Sequence, residues 1–169
     1  VEPFEGYNKS LNNGFKKANC DIVVFCNNDL IFKSGWFEPL KNGLKNFDSV
    51  SPWCPLTHWQ WWKDIPSGVQ LGYQVGKHIA GWCISANRKT IESIGGFDER
   101  LEFWCCDNAY SEQLKAKGLS HALITKSHVA HLQSQTLNKV DKVKYRELTN
   151  NQIKVFNRLY KKNLFNVGI

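Results

Sequence analysis

Apolar positions along the chain change period several times, and each change marks an element. From Gly6 to Asn19, Tyr7, Leu11, Phe15 and Ala18 recur at spacings of three and four, one face of a helix. Asp21 is followed by a continuous apolar run, Ile22-Val23-Val24-Phe25-Cys26. Its length and β-branching predict a strand covered on both faces and central in a parallel sheet. Asn27-Asn28-Asp29 ends that run, and Ser34 can cap a second helix with Trp36, Phe37, Leu40, Leu44 and Phe47 inward. Val50 to Pro55 reads as another strand. From Pro55 to Lys77 the period fails. His58, Trp59, Trp61 and Trp62 cluster there ahead of Pro66, Gly68, Gly72 and Gly76, the composition of a long functional loop or a small hairpin. Ile79 to Ala86 is strand-like, and Asn87 caps a helix over Arg88 to Ile94 that closes at Gly95-Gly96. Asp107 to Lys117 is helical, and Leu119 to Thr125 and Ser127 to Leu132 read as two short strands before a long basic helix. Strands alternating with helices predict an α/β domain with a mainly parallel sheet.

A length of 169 residues suits one domain with a real core, and 42% apolar with 22% charged residues excludes a disordered chain. No stretch reaches the roughly 18 apolar residues of a membrane span, and Val-Glu-Pro-Phe-Glu does not resemble a secretory leader. Six Cys occur without a CxxC pair, and Cys105 and Cys106 are adjacent. This spacing suits neither zinc nor a disulfide framework and points to a reduced, cytoplasmic protein. Seven Trp exceed the needs of a core this size, and indole is a common contact surface. The net charge of +7 is concentrated late in the chain. Lys139, Lys142, Lys144, Arg146, Lys154, Arg158, Lys161 and Lys162 face only Asp141 and Glu147 there. Such a helix attracts anions, whether phosphorylated substrates, acidic lipid headgroups at a membrane surface or nucleic acid, and serves equally as a solvated face.

Three groups of residues can carry chemistry. Asp29 follows a strand, and open α/β sheets bind ligands beyond the carboxyl ends of their strands. A carboxylate there can hold a divalent metal that bridges phosphates, with Asn27 and Asn28 as uncharged neighbours able to bond sugar hydroxyls. An Asx-turn is the plain alternative. Asp98, Glu99, Glu102 and Asp107 lie among Phe97, Phe103 and Trp104. Asp107 is read either as a helix cap or as a general base beside an aromatic platform. His128 and His131 lie in or after a late strand on opposite faces, and His131, at its end, is the better ligand candidate.

The ordered series Asn8-Lys-Ser-Leu-Asn-Asn-Gly-Phe-Lys-Lys-Ala18, Ile22-Val-Val-Phe-Cys-Asn-Asn-Asp29, Ala80-Gly-Trp-Cys83, Ile94-Gly-Gly-Phe-Asp-Glu-Arg-Leu101, Phe103-Trp-Cys-Cys-Asp107 and His131-Leu-Gln-Ser-Gln-Thr136 resembles the family 2 glycosyltransferases of the GT-A fold. The resemblance implies a mainly parallel GT-A-like α/β fold, with residues 1–138 forming the metal- and acceptor-binding part and 139–169 a basic helical extension. It implies that Asp29, the last acid of the family's Asp-x-Asp motif, and His131 hold Mn²⁺ or Mg²⁺, and that Asn27 and Asn28 border the donor. Asn27 stands where the first acid usually is, which removes one charge. Gly81 and Trp82 fall in the acceptor floor, Trp104, Asp98 and Glu99 on the acceptor side, and Asp107 matches the catalytic base of inverting members. Cys106 replaces the acid that usually precedes that base.

The activity implied is transfer from a nucleotide-diphosphate sugar to a hydroxyl of a carbohydrate, glycolipid or glycoprotein, with inversion. The chain holds no Met, and the family's nucleotide-binding β-α-β start has no counterpart before Gly6, so an N-terminally truncated fragment is expected. Two other readings stand beside the enzyme: a non-catalytic carbohydrate-binding relic of the same fold, and a nucleic-acid module built on the basic helix and the Trp cluster.

Overall fold

The computed structural model describes residues 5–132 and 142–164. Its elements are α1 (Tyr7–Lys17), β1 (Ile22–Cys26), β2 (Leu30–Phe32), α2 (Phe37–Gly43), β3 (Ser49–Trp53), α3 (Pro55–His58), β4 (Val69–Leu71), β5 (Cys83–Asn87), α4 (Arg88–Ser93), α5 (Cys106–Ala116), β6 (His121–His131) and α6 (Lys142–Tyr160). Helix α1 turns Leu11 and Phe15 inward, as its period requires, and places Lys16 and Lys17 in its last turn, where cations suit the helix dipole. Its buried face also carries Asn8 and Asn12, each spent on the backbone of the 97–98 segment. Asn8 Nδ2 donates to the Asp98 carbonyl at 2.8 Å, and Asn12 exchanges bonds with the Phe97 carbonyl at 2.9 Å and amide at 2.8 Å.

The strands lie in the order β1-β5-β3-β6-β2, with β4 also on β6. Among the described strands, only β3 and β6 pair in parallel; the pairs β1–β5, β3–β5, β2–β6 and β4–β6 are antiparallel. The sheet is therefore mixed, not mainly parallel. Strand β5 inserts between β1 and β3 with reversed sense, so β1 and β3, which run the same way, are not neighbours. Strand β1 is an edge of this sheet, not its centre. Its apolar run reports covered faces instead. Val23 and Phe25 pack into one cluster with Ile84, Phe97 and Tyr110, while Ile22 leans on the opposite cluster of Leu40, Leu44, Val50 and Ile124. Covered faces do not determine the number of hydrogen-bonded neighbours. Cys26, at the strand end, is exposed.

Other expectations shift as well. Residues 121–131 form one strand, not two, with a register jump between Ile124 and His128 opposite Pro52 and Trp53. Helix α2 begins at Phe37 with Trp36 at its cap position, so Ser34 does not cap it. Asn87 precedes α4, but its side chain donates to the Leu44 carbonyl at 3.1 Å instead of capping. All six Cys are free. Helix α6 docks on α5 by burying Phe156 with Leu101, Cys105, Cys106 and Ala109. The boundary at 138/139, the motif residues after Leu132, Lys139 and Asp141 lie outside the described residues. No helix among the described residues is long and apolar enough to cross a membrane.

A buried polar chain crosses the core. Tyr110 donates to Ser49 Oγ at 2.7 Å, Ser49 lies 2.9 Å from His121 Nδ1, and His121 Nε2 lies 3.1 Å from the His78 carbonyl. The carbonyl requires a proton on Nε2, and in the neutral ring that burial favours, Nδ1 accepts from the Ser49 hydroxyl. Burial pushes His121 down to about 3 and His58 down to about 4 from 6.5, despite carbonyl contacts that pull the other way. Folded values below unfolded ones mean that the unfolded chain binds more protons in acid. This stability is complete above about pH 6.5 and is lost as the pH falls toward 4 and 3. The slope is of the order of 1.4 kcal/mol per pH unit for each histidine. Denaturant melts between these pH values should show the decline, and His121→Asn should flatten it while lowering stability at neutral pH.

Candidate active site

The site is built where β1 ends and β2 begins. Asn27 continues the β1–β5 ladder by donating its amide to the Trp82 carbonyl at 2.9 Å. Three residues later the chain enters β2, which pairs Leu30 with His131 at the far end of β6, and the Leu132 amide donates to the Asp29 carbonyl at 3.0 Å. These bonds bring together side chains 102 positions apart: His131 Nε2 lies 3.3 Å from Asp29 Oδ1, each side chain 14% exposed. The imidazole stacks on Trp82 with centroids 5.3 Å apart and planes at 17°. Its amide donates to Cys54 Sγ at 3.3 Å. Burial pulls the His131 value down against the opposing charge of Asp29, which favours the neutral ring a metal ligand needs. His131 Nδ1 is buried without a hydrogen-bond partner among the described residues.

Carboxylate and neutral imidazole are ordinary ligands of Mn²⁺ and acceptable to Mg²⁺. Among the described residues no third His, Cys, Asp or Glu joins them to form a metal-holding group. The pair therefore fits an ion whose remaining ligands are phosphate oxygens and water, and does not fit a closed protein site.

Asp107 lies in the first turn of α5, behind Cys105, whose φ of 61° is left-handed. It is not the helix cap: its Oδ1 accepts the neighbouring Asn108 amide at 2.9 Å. Burial raises its carboxyl above the usual range, with that bond and its own amide opposing. The carboxylate lies against Gly81, where an added Cβ would come 2.7 Å from Asp107 Oδ2 and 2.8 Å from its Cβ.

A residue that periodicity marks only as part of an apolar face ties these pieces together. The Tyr7 hydroxyl lies 3.0 Å from both Asn27 Oδ1 and the Gly81 carbonyl, two acceptors for its one proton. Its value is raised by burial and then by the Asp107 charge, so it stays a neutral donor. The available signal was a hydroxyl on a buried helix face.

The remaining candidates are spread around this centre. Asn28 is exposed beside it. Asp98 is held by Arg100 through bonds of 2.8 and 2.7 Å and by the Tyr160 hydroxyl of α6 at 2.8 Å. Burial opposes its ionisation, but these donors keep its carboxyl below the usual range. Glu99 accepts from Asn12 at 2.8 Å, and Trp104 packs with Leu101 and Phe156. Their contacts tie the loop before α5 to α1 and α6. In the Trp-rich segment, His58 stacks on Trp53 at 4.9 Å and the Lys77 ammonium lies 5.2 Å over Trp62, while Trp59 is 70% exposed.

The sequence profile described as Glycosyl transferase family 2 matches residues 2–82, which takes in α1, Asn27 to Asp29, Gly81 and Trp82. A curated relative, the Probable N-acetylgalactosaminyltransferase 9 of Caenorhabditis elegans, is 25% identical over 149 residues, covering 70% of this chain and 26% of the relative. The structure of GalNAc-T7 with UDP, GalNAc and Mn²⁺ superposes with a TM-score of 0.60 at 15% identity, covering 78% of this chain and 31% of that one. The fold is thus an α/β fold related to that of GT-A glycosyltransferases, and the chain spans about a quarter of the length of the curated relative.

The Gly81 contact yields a test. Gly81→Ala must displace the root of Asp107 and should lower stability by ~1–3 kcal/mol in a urea melt. Gly14→Ala is the control: Gly14 lies inside α1 with nothing within 4 Å of an added Cβ. That change should stabilise by up to ~1 kcal/mol.

Proposed function

We propose that this chain is the metal- and acceptor-binding part of a glycosyltransferase that moves a sugar from a nucleotide-diphosphate donor to an acceptor hydroxyl with inversion. The observation that carries the reading is the approach of Asp29 to His131 at 3.3 Å beside Trp82. The Asp107–Gly81–Tyr7–Asn27 chain is connected to it through the Asn27–Trp82 backbone bond. The match of residues 2–82 and the N-acetylgalactosaminyltransferase relative support it, and the UDP in the similar structure favours a uridine donor.

Asp29 and His131 are the residues that would hold Mn²⁺ or Mg²⁺, and the bound cation supplies positive charge to the leaving diphosphate. Trp82 fixes the imidazole plane. Gly81 leaves space for the Asp107 carboxylate, and its neighbourhood forms the floor on which an acceptor lies. Asp107, raised toward neutrality by burial, takes the proton of the acceptor hydroxyl as that oxygen attacks the anomeric carbon from the face opposite the diphosphate. Attack from that face inverts the centre. Asp98, Glu99 and Trp104 shape the acceptor side through the loop they hold. Exposed Trp59 offers an apolar ring face to a sugar. The basic α6 would meet an anionic surface, while Lys162, just past the helix, is paired with Glu112 at 3.0 Å.

Isothermal titration of UDP with and without Mn²⁺ checks the donor side: Mn²⁺ should be required, and Asp29→Asn or His131→Ala should abolish the requirement together with the tight binding. Asp107→Asn should keep that binding and lower turnover of a competent enzyme by ~10²–10⁴-fold. Sugar binding with no Mn²⁺-dependent nucleotide affinity would instead identify the carbohydrate-binding relic.

A further inference from the structure

Cys26 and Cys83 face each other at the end of the β1–β5 ladder, with sulfurs 3.6 Å apart. The next pair in this register, Asn27 and Trp82, is hydrogen-bonded from the Asn27 amide to the Trp82 carbonyl. Antiparallel pairs alternate, so Cys26 and Cys83 form the non-hydrogen-bonded kind, whose Cα atoms stand about 4.5 Å apart with side chains close together. That separation is within the range disulfides span, about 4.4–6.8 Å. The two thiols also differ in access: Cys26 is exposed, and Cys83 is fully buried behind it. The remaining thiols show no such arrangement. Cys20 is exposed beside Asn19, Cys54 receives the His131 amide, and Cys106 donates to the Leu101 carbonyl.

We propose that Cys26 and Cys83 form a redox-active dithiol site, with low-molecular-weight disulfides as the oxidant, closing a reversible cross-strand bond at the base of the candidate active site. The Cys26 thiolate attacks one sulfur of the small disulfide, forming a mixed disulfide on Cys26 and releasing one small thiolate. Cys83 then loses its proton and attacks the Cys26 sulfur, forming the Cys26–Cys83 bond and releasing the second small thiolate. The protein gives up two electrons and two protons, and the oxidant becomes two small thiols. Hydrogen bonding from Cys83 favours the Cys26 thiolate, which suits Cys26 as the attacking group. The bond would clamp the strand end that leads to Asp29 against the segment carrying Trp82, whose ring supports His131.

The test uses the 169-residue chain in glutathione buffers of graded ratio. Free thiols are alkylated, and peptides are mapped by mass spectrometry before and after dithiothreitol. The expected result is one linkage, Cys26 to Cys83, that accounts for the loss of two hydrogens and disappears on reduction. Cys83→Ala should stop at glutathione on Cys26, Cys26→Ser should leave Cys83 reduced, and Cys20→Ala should still form the bond. The oxidised wild-type chain should also melt at a higher temperature than the reduced chain, because the bond restrains a long loop of the unfolded state. A stable glutathione adduct on Cys26 of the wild type, or both thiols still alkylated at oxidising ratios, overturns the proposal. Neither readout uses sugar transfer, so the inference stands or falls apart from the proposed activity.

Discussion

The antiparallel pairing of a three-residue strand with the far end of β6 governs the candidate site. Strand β6 has eleven residues and is about 35 Å long at ordinary rise. Its first half lies in the core against β3 and β4, and its second half, beyond the register jump, meets β2. The Leu30–His131 pair and the Leu132–Asp29 bond convert core order into site order, because they place a loop carboxylate against an imidazole that Trp82 stacks on. β2 buries little of its own: Ile31 and Phe32 are 54% and 41% exposed. Backbone pairing, supplemented by Phe32 against Trp36 at 4.4 Å, therefore carries most of its placement.

The second support is polar and comes from α1. A helix with Asn8, Asn12 and Tyr7 on its inner side carries desolvation costs that an apolar face avoids; each makes a specific bond that offsets part of that cost, although Asn8 Oδ1 is buried without a partner among the described residues. Asn8 and Asn12 hold the 97–98 backbone, and Gly96, at φ +83°, admits Asn12 where a Cβ would come 2.8 Å from its Oδ1. Tyr7 joins the end of β1 to Gly81. One helix thus sets the spacing between the Asp29 side and the Asp107 side, and α5 inherits its position from the loop that α1 grips.

Much of this was legible in local pattern and some of it was not. Periodicity marks α1 and α5, and the β-branched run marks β1, because each reflects which side chains are covered. The order of strands depends on pairings between distant segments, so the same run that reads as a central strand belongs to an edge. β2 and β4, three residues each, fall below any periodic signal and exist through β6. Exposed Lys126 interrupts the apolar pattern of 121–131 and suggests two strands, where the backbone makes one with an irregular register. At the site, the family resemblance points to Asp29, His131 and Asp107, while the Tyr7 bridge and the Cys26–Cys83 pairing emerge only in the folded chain. A tyrosine in a helical stripe and two cysteines in apolar runs carry no local sign of what they meet.

The charge of the site follows from Asn27, on the sugar-transfer reading. A ligand pair of one carboxylate and one neutral imidazole brings one negative charge to the cation. A divalent cation held there would keep one positive charge for the donor diphosphate, where a second carboxylate at position 27 would cancel it. On that reading the amide would weaken the hold on a free cation and leave more positive charge for the phosphates, so cation and nucleotide would bind best together. Tyr7 makes that choice structural. Its hydroxyl donates to Asn27 Oδ1, and burial together with the nearby Asp107 charge keeps the phenol from ionising. A carboxylate at position 27 would put a second negative charge beside the same phenol and near Asp107. Its repulsion would push Asp107 further from the ionised form that a base requires. The uncharged residue at position 27 thus lets one tyrosine link the donor and acceptor sides without joining two acids.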